Sequence, residues 1–260
     1  MGDAVSLVPS QPPRAIVTEG KLIVRPQVDH ATLDIDAQNY ADQHPTEPVI
    51  VISKSKKLLY FFKNGILVND YVNWGDYEPF FANTPTTIEM SFPVPVALGI
   101  DQQGNSTALA GPKRKAGDRR TPEGEYAVCN KRQSPSSSFT VFLDVSYPNI
   151  QDAEAAFSAG IINKARRNSI IQDNVIMQQR FAAHSGGYCP SGGPMGGLIG
   201  IHPQAAEQYP EVIIKEATVS AGGQYVTGSD WTFGCIAIEN RHARYLWQEA
   251  PIGTRILILP

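Results

Sequence analysis

The segment Asp230-Trp231-Thr232-Phe233-Gly234-Cys235-Ile236-Ala237 is the stretch from which the fold and the chemistry of this chain can best be inferred. In it a cysteine directly follows a glycine, and His202 lies 33 positions upstream. A thiol with an imidazole as its base is the pair that nucleophilic acyl transfer requires. The glycine allows a tight turn, so that the N–H groups of Gly234 and Cys235 can face a developing oxyanion. The segment therefore predicts an acyl-transfer site with Cys235, His202 and Gly234 as catalytic residues.

The composition is that of an ordinary globular protein with enough chain to bury a core. Of 260 residues, 42% are hydrophobic and 18% are charged, and the net charge is -3. Because neutralising phosphates needs a basic surface, we expect no nucleic-acid partner. No apolar run approaches the roughly 18 residues of a membrane span, so none is expected. We also expect a monomer.

Short runs of β-branched and aromatic residues predict a chain made mainly of strands. One strand begins at residues 48–53 and continues through 57–62, and the Asn64-Gly65 pair after it predicts a tight hairpin. Further strands are expected at residues 92–99, 124–132, 139–145 and 255–259. Residues 1–46 are predicted to be an accessory segment, with a strand within 20–28 and a helix near 32–43. This segment either packs on the rest of the chain or serves as a linker.

Residues 151–200 differ from the rest, because they predict one or two helices followed by a glycine-rich loop. Asn149 and Asp152 are the candidate N-caps of the first helix. The loop has seven glycines from Gly186 to Gly200, but no lysine follows them as in a phosphate-binding loop. It is either a flexible connection or a mobile wall of a cleft, since it leads directly into His202. Helices are also expected at residues 203–212 and 240–249.

Several segments of the chain, in their order along the sequence, resemble those of the YkuD-like L,D-transpeptidases, which build and edit bacterial peptidoglycan. The resemblance covers residues 47–260, including 117–124, the Tyr147-Pro148-Asn149 block and Gly200-Ile201-His202. The Trp-Thr-x-Gly-Cys-Ile-Ala form is similar to one subgroup. The resemblance implies a catalytic domain at 47–260 that is mainly β. It would be a mixed β-sandwich or barrel-like sheet with peripheral helices and a helical, glycine-rich insertion at 151–200.

By the same resemblance, Cys235 corresponds to the nucleophile and His202 to the base, without a cofactor. The element that orients the histidine in this family is a backbone carbonyl, which side-chain identities do not reveal. Thr232 matches a Ser/Thr position at which a hydroxyl helps to hold the site. The expected substrate-binding residues are Thr232, Phe233, Ile201, Tyr147 and His184. We expect no metal, because His184, Cys189, His202 and Cys235 match no compact zinc spacing.

Two positions depart from the commonest family pattern. Phe233 stands where a histidine is usual, and Ala237 stands where an arginine is frequent. Another basic residue is then needed to recognise the carboxylates of a substrate, and the candidates are Arg241, Arg244, Lys113 and Arg114. The spacing between His202 and Cys235 is also longer than usual, which implies an insertion near residues 210–228.

The cysteines and the N-terminus bear on the cellular compartment. Cys129 and Cys189 could pair in an oxidising compartment, or they could be two buried thiols. Residues 1–5 lack the charged and apolar regions of a secretory signal. We favour a removed signal and a periplasmic or cell-envelope protein over a cytoplasmic protein or an exported effector.

The resemblance implies that Cys235 attacks the third-residue carbonyl of a peptidoglycan stem peptide and expels the terminal D-alanine. The thioester would then pass to the amine of a second stem or of a free D-amino acid. Transfer to water would instead make the protein an L,D-carboxypeptidase or amidase, for example in an antibacterial effector. A third alternative is a non-catalytic wall-binding relic. We expect a thiolate–imidazolium pair with the pKa of Cys235 below the usual value of about 8.5.

Overall fold

The structure is a computed structural model that describes residues 15–18, 21–24, 34–73, 87–133, 141–203 and 230–260. The helices are α1 (Ile35–Asp42), α2 (Ile150–Ser158), α3 (Lys164–Ala182) and α4 (Asn240–Glu249), and a short 3-10 turn spans Gly193–Met195. The strands, in chain order, are β1 (Ala15–Thr18), β2 (Lys21–Val24), β3 (Val49–Ser53), β4 (Leu58–Lys63), β5 (Ile66–Leu67), β6 (Asn69–Asn73), β7 (Thr87–Ser91), β8 (Val94–Pro95), β9 (Gly124–Gln133), β10 (Val141–Val145), β11 (Gly200–Pro203), β12 (Ile236–Ile238) and β13 (Arg255–Leu259).

Among the described residues, nine strands form one curled mixed sheet. Its order is β12-β11-β10-β9-β13-β3-β4-β5, and β8 pairs with β4. The pairs β11–β12 and β13–β3 are parallel, and the other neighbours in the sheet are antiparallel. Two further pairs, β1–β2 and β6–β7, form separate two-stranded sheets. The predicted fold class, mainly β with a mixed sheet and peripheral helices, is confirmed.

Strand β3 is buried along its whole length, because both of its faces are covered. Ile50 and Ile52 point into the main core, which fills the space between the sheet and α2, α3 and α4. Val49 and Val51 belong to a second, smaller core with three residues of α1, namely Ala37, Tyr40 and Ala41. Helix α1 comes from the predicted accessory segment, so this part of residues 1–46 packs on the sheet.

The prediction of one continuous strand through residues 48–62 is wrong, because the chain reverses between β3 and β4. The two strands pair in antiparallel fashion, with Val49 opposite Phe62. The intervening turn is stabilised by Lys54, whose buried ammonium lies 2.7 Å from a carboxylate oxygen of Glu123 and also donates to two backbone carbonyls. The hairpin at Asn64-Gly65 is confirmed, since both residues have positive φ and β4 pairs with β5 across them.

The region at residues 92–99 forms only the short strand β8, rather than the longer strand predicted. Beyond β8 the chain makes isolated bridges instead, pairing Ala97 with Ala237 and Gly99 with Thr232. Thr107 and the carbonyl of Arg119 crowd Gly99 so closely that a Cβ there would lie 1.8 Å from that carbonyl oxygen. This strand-like segment therefore lies alongside the Cys235 segment.

Helix α2 begins at one of its two predicted caps. The Asn149 side chain caps α2, and the Asp152 carboxylate accepts from the N–H of Asn149, which completes a capping box. Cys129 of β9 and Cys189 of the glycine-rich loop form a disulfide. The helix predicted at 203–212, except Pro203, and the insertion predicted near 210–228 lie outside the described residues.

Candidate active site

Two neighbouring parallel strands carry the predicted base and position the predicted nucleophile. In the register of β11 and β12, His202 lies opposite Ala237. Cys235 directly precedes β12, two positions before Ala237, and alternate residues of a strand share a face. In a regular sheet, with strands about 4.8 Å apart and two residues spanning about 6.6 Å, such a pair of Cα atoms would be about 8 Å apart. An imidazole can reach toward a thiol over this distance, so the fold brings Cys235 and His202 to one face of the sheet.

The turn before Cys235 depends on the glycine and the threonine that precede it. Gly234 has a φ of 114°, and a Cβ on it would lie 2.6 Å from the carbonyl oxygen of Arg120. The hydroxyl of Thr232 donates to the carbonyl of Cys235 at 2.8 Å and accepts from the N–H of Gly234 at 3.2 Å. These bonds hold Cys235 at the start of β12, and they engage the N–H of Gly234 in this conformation.

The same segment is joined to residues 97–100 at its upstream end. The carboxylate of Asp230 accepts from the N–H of Leu98 at 2.9 Å and lies 3.0 Å from the ammonium of Lys57. The N–H of Thr232 donates to the carbonyl of Leu98, and its own carbonyl accepts from Ile100, both at 3.0 Å. The segment that contains Cys235 is therefore held by hydrogen bonds on both sides.

The thiol of Cys235 is half-buried, and its sulfur lies 3.5 Å from the carbonyl oxygen of Leu198, to which it can donate. Burial raises the pKa of Cys235 above its ordinary value. The backbone N–H of Gly200 and the cations Arg132 and Lys113 lower the pKa, while the carboxylate of Asp144 raises it, and burial outweighs them. The expected pKa below 8.5 therefore has the wrong direction, and Cys235 is a neutral thiol at pH 7.

His202 is only 2% exposed, and its Nδ1 lies 2.7 Å from the carbonyl oxygen of Pro203. An Nδ1–H that donates to this carbonyl leaves the lone pair on Nε2, which is the tautomer that a base needs. Burial lowers the pKa of His202 to about 4, so the imidazole is neutral at pH 7. Pro203 thus supplies the orienting backbone carbonyl that side-chain identities could not reveal.

Two aromatic rings hold the imidazole in place. Phe142 stacks on His202 with ring centroids 5.6 Å apart and an interplanar angle of 14°. Trp231 meets the same imidazole at 5.8 Å and 66°. The sequence did not identify Phe142, and it marked Trp231 only as a member of the nucleophile segment.

The predicted substrate-binding residues fall into different environments. Phe233 is 67% exposed, with the guanidinium of Arg119 stacked 4.3 Å from its ring centroid. Ile201 is fully buried in the main core, and Tyr147 is 1% exposed with its hydroxyl 3.3 Å from the carbonyl oxygen of Met195. Direct contact of Ile201 or Tyr147 with a substrate would require the side chain to become exposed. Tyr147 instead connects β10 to the glycine-rich loop.

His184 lies at the end of α3, where its Nδ1 is 2.9 Å from the carbonyl oxygen of Phe181. It lines a groove of about 570 Å³ between α3 and residues 251–255. Neither Cys235 nor His202 is among the residues that line this groove. A role for His184 as a second base or a substrate contact stays a prediction.

In the described ranges, no group of three or more His, Cys, Asp or Glu side chains could hold a metal ion. Across the same ranges, no helix combines the length and apolar character needed to cross a membrane.

The fold and the site define a mainly β domain in which a histidine lies on one of two parallel strands and a cysteine directly precedes the other. The sequence model of the YkuD family, described as the L,D-transpeptidase catalytic domain, matches residues 47–258. The chain belongs to this family.

Among solved structures, the chain is similar to L,D-transpeptidase 3 from Mycobacterium tuberculosis in complex with a faropenem-derived adduct, at 10% identity and a TM-score of 0.39. This match covers 82% of the chain and 60% of that protein. The helical cell shape determining protein Pgp2 from Campylobacter jejuni matches at 14% identity and a TM-score of 0.38, covering 85% of this chain and 54% of that one. Bd1075 from Bdellovibrio bacteriovorus matches at 17% identity and a TM-score of 0.38, covering 84% of this chain and 49% of that one. The chain thus spans between about half and 60% of these relatives. No curated protein matches it.

Proposed function

We propose that the protein is a cysteine acyltransferase that acts on peptidoglycan stem peptides through a thioester on Cys235. The observation that carries the proposal is the register of β11 and β12, which brings His202 and Cys235 to one face beside the glycine turn. Membership of the L,D-transpeptidase family supports this substrate class. The protein would act without a metal or an organic cofactor.

The pKa values of the two groups support proton transfer during attack rather than a preformed ion pair. His202 is neutral and Cys235 is a thiol at pH 7, because burial lowers the first pKa and raises the second. Nε2 of His202 would take the thiol proton as the sulfur bonds to the third-residue carbonyl carbon of the stem. When the intermediate collapses, the C–N bond breaks and the same proton passes to the leaving amine of D-alanine.

The negative charge on the carbonyl oxygen needs hydrogen-bond donors at the turn. The N–H of Cys235 is the first candidate. The N–H of Gly234, predicted as the second, donates to Thr232 in the described conformation, so it would have to share or release that bond. The function of Thr232 is then to hold the turn, while Phe233 offers an exposed aromatic surface to the substrate.

The thioester would be resolved by an amine, either of a second stem or of a free D-amino acid. Water would give L,D-carboxypeptidase activity from the same intermediate. The Cys129–Cys189 disulfide supports a periplasmic or cell-envelope location, since disulfides persist in oxidising compartments.

Incubation with purified tetrapeptide muropeptides, followed by mass spectrometry of the products, tests the proposal. Dimers linked between third residues are expected for transfer to a second stem. Tripeptide alone would assign hydrolysis by the same thioester. If neither product forms, or if Cys235→Ala gives the same products as the wild type, the proposal is wrong.

A further inference from the structure

The face of the sheet that carries the thiol and the imidazole also carries a half-exposed arginine. Arg132 of β9 pairs with Phe142 of β10, and β10 pairs with β11 so that Phe142 lies beside His202. His202 in turn lies opposite Ala237 of β12. Arg132 and Ala237 are therefore the two ends of one row that crosses four strands.

Arg132 is held in a defined orientation by its neighbours. Its Nε and Nη2 donate to the two carboxylate oxygens of Asp144 at 2.8 and 2.7 Å, which is a bidentate pair. Its guanidinium carbon lies 4.3 Å from the ring centroid of Phe142, the ring that stacks on His202. The guanidinium thus lies over the ring that separates it from the imidazole.

Among the described residues, the pair with Asp144 leaves N–H groups of this guanidinium available to donate to a ligand. A guanidinium has five N–H groups, and the pair with Asp144 uses two of them. The side chain of Arg132 is 48% exposed, whereas that of Asp144 is 9% exposed. The buried carboxylate therefore fixes the arginine from below, and the remaining donors can face a ligand above the sheet.

Two of the four cations proposed above for substrate recognition, Lys113 and Arg241, are less suitable. Lys113 is 4% exposed, and its ammonium already donates to Asp118 at 2.7 Å and to the carbonyl of Lys115 at 3.0 Å. Arg241 pairs with Glu239 at 3.0 Å on α4. Arg132 combines exposure with proximity, since its charge acts on the pKa of Cys235.

We propose that Arg132, clamped by Asp144 and stacked on Phe142, binds a carboxylate of the peptide that acylates Cys235. It would take over the carboxylate recognition that the alanine at position 237 cannot provide. The inference rests on the proposed function, because that function supplies a stem peptide as the ligand. A stem offers two carboxylates near the attacked carbonyl, one on the third-residue side chain and one on the terminal D-alanine. A planar guanidinium edge suits either of them.

Binding to the Cys235→Ala protein, measured by calorimetry, tests the inference without turnover. The probes are a synthetic tetrapeptide stem, the same stem amidated on the third-residue side chain, and the stem amidated at its C-terminus. We expect Arg132→Gln to weaken binding of the free acid by about 10- to 100-fold, the usual worth of a charge-assisted hydrogen bond. For the probe that lacks the recognised carboxylate the same change should have little effect, which identifies the carboxylate. Arg132→Lys keeps the positive charge but loses the planar guanidinium. Its affinity for the free acid should therefore lie between those of the proteins with arginine and with glutamine at this position.

Arg167 provides a control, because it also lies over an aromatic ring and next to a carboxylate, on the helices α2 and α3. Its guanidinium stacks on Phe157 at 4.9 Å and lies 3.5 Å from a carboxylate oxygen of Glu154. Arg167→Gln should leave binding of all three probes unchanged. The inference is overturned if Arg132→Gln weakens all probes by one common factor, or weakens none.

The two proposals can fail separately. If wild-type protein converts the stem while Arg132→Gln shows no carboxylate dependence, Arg132 is not the recognition residue and the proposed function stands. If Arg132 discriminates between the probes but wild-type protein converts none, the binding site stands and the proposed function fails. If no probe binds and wild-type protein converts none, both fail.

Discussion

Replacing Thr232 with valine should loosen the turn that presents the nucleophile. Valine keeps the shape of threonine but has no hydroxyl, so two hydrogen bonds are lost at once. They are the 2.8 Å bond to the carbonyl of Cys235 and the 3.2 Å bond from the N–H of Gly234. Thr232 is 3% exposed, so little water can replace the hydroxyl. Each unsatisfied group costs about 1–3 kcal/mol when buried.

The sum of the two losses is about 2–6 kcal/mol. Because Cys235 is only half-buried, its carbonyl can recover part of the loss, and we expect about 2–3 kcal/mol. Urea unfolding followed by tryptophan fluorescence measures this free energy. The loosened turn should also lower kcat/KM on tetrapeptide stems by about tenfold or more, since small displacements of a reacting group cost much of the rate.

Thr232→Ser is the matched control, because serine keeps the hydroxyl and removes one methyl group. It should lose about 1 kcal/mol or less and retain most of the activity. The reasoning is refuted if Thr232→Val unfolds within about 0.5 kcal/mol of the wild type, or if serine and valine are equally destabilising.

Three further predictions follow from burial and close packing at the site. Burial lowers the pKa of His202 from 6.5 to about 4. Between these two pH values His202 is therefore protonated in the unfolded chain but neutral in the folded protein. The free energy of unfolding should therefore fall by about 3 kcal/mol more between pH 7 and 4 than in His202→Gln, and an equal fall in both proteins would contradict this. Alkylation of Cys235 by iodoacetamide, followed by mass spectrometry, should have its pH midpoint above about 8.5, because burial raises that pKa, and a lower midpoint would show an ion pair instead. Gly200→Ala should cost about 1–3 kcal/mol in urea unfolding, since the methyl group would lie 2.0 Å from a ring carbon of β10, and unchanged stability would show that this ring moves freely.

The features that the sequence predicted well are those that depend on only a few adjacent residues. The hairpin at Asn64-Gly65 needs two residues of positive φ, and this pair is the usual choice for them. The cap of α2 likewise depends on Asn149 and Asp152 alone. The turn between β3 and β4, Lys54-Ser55-Lys56-Lys57, contains no glycine or proline, so no turn signal separated the two apolar runs. Its stability comes from Lys54 and from partners more than fifty positions away.

In the candidate site, too, some features depend on local sequence and others on the assembled sheet. Cys235 and His202 were predicted from local blocks of sequence, and the register of β11 and β12 is compatible with their lying on one face of the sheet. The row from Arg132 to Ala237 requires the register of four strands, which no single segment encodes. The pKa of Cys235 was predicted in the wrong direction, because its burial is a property of the assembled site.

Intact-protein mass spectrometry of an acid-quenched reaction with a tetrapeptide stem tests the central claim most directly. Attack by Cys235 with loss of alanine predicts a mass gain equal to the stem minus one alanine. Peptide mapping should place this gain on the fragment that contains Cys235. The other two cysteines are joined to each other, so Cys235 is the one free thiol of the chain. The same gain in Cys235→Ala, or stem conversion by wild-type protein with no adduct at Cys235 under single-turnover quench, would contradict the account.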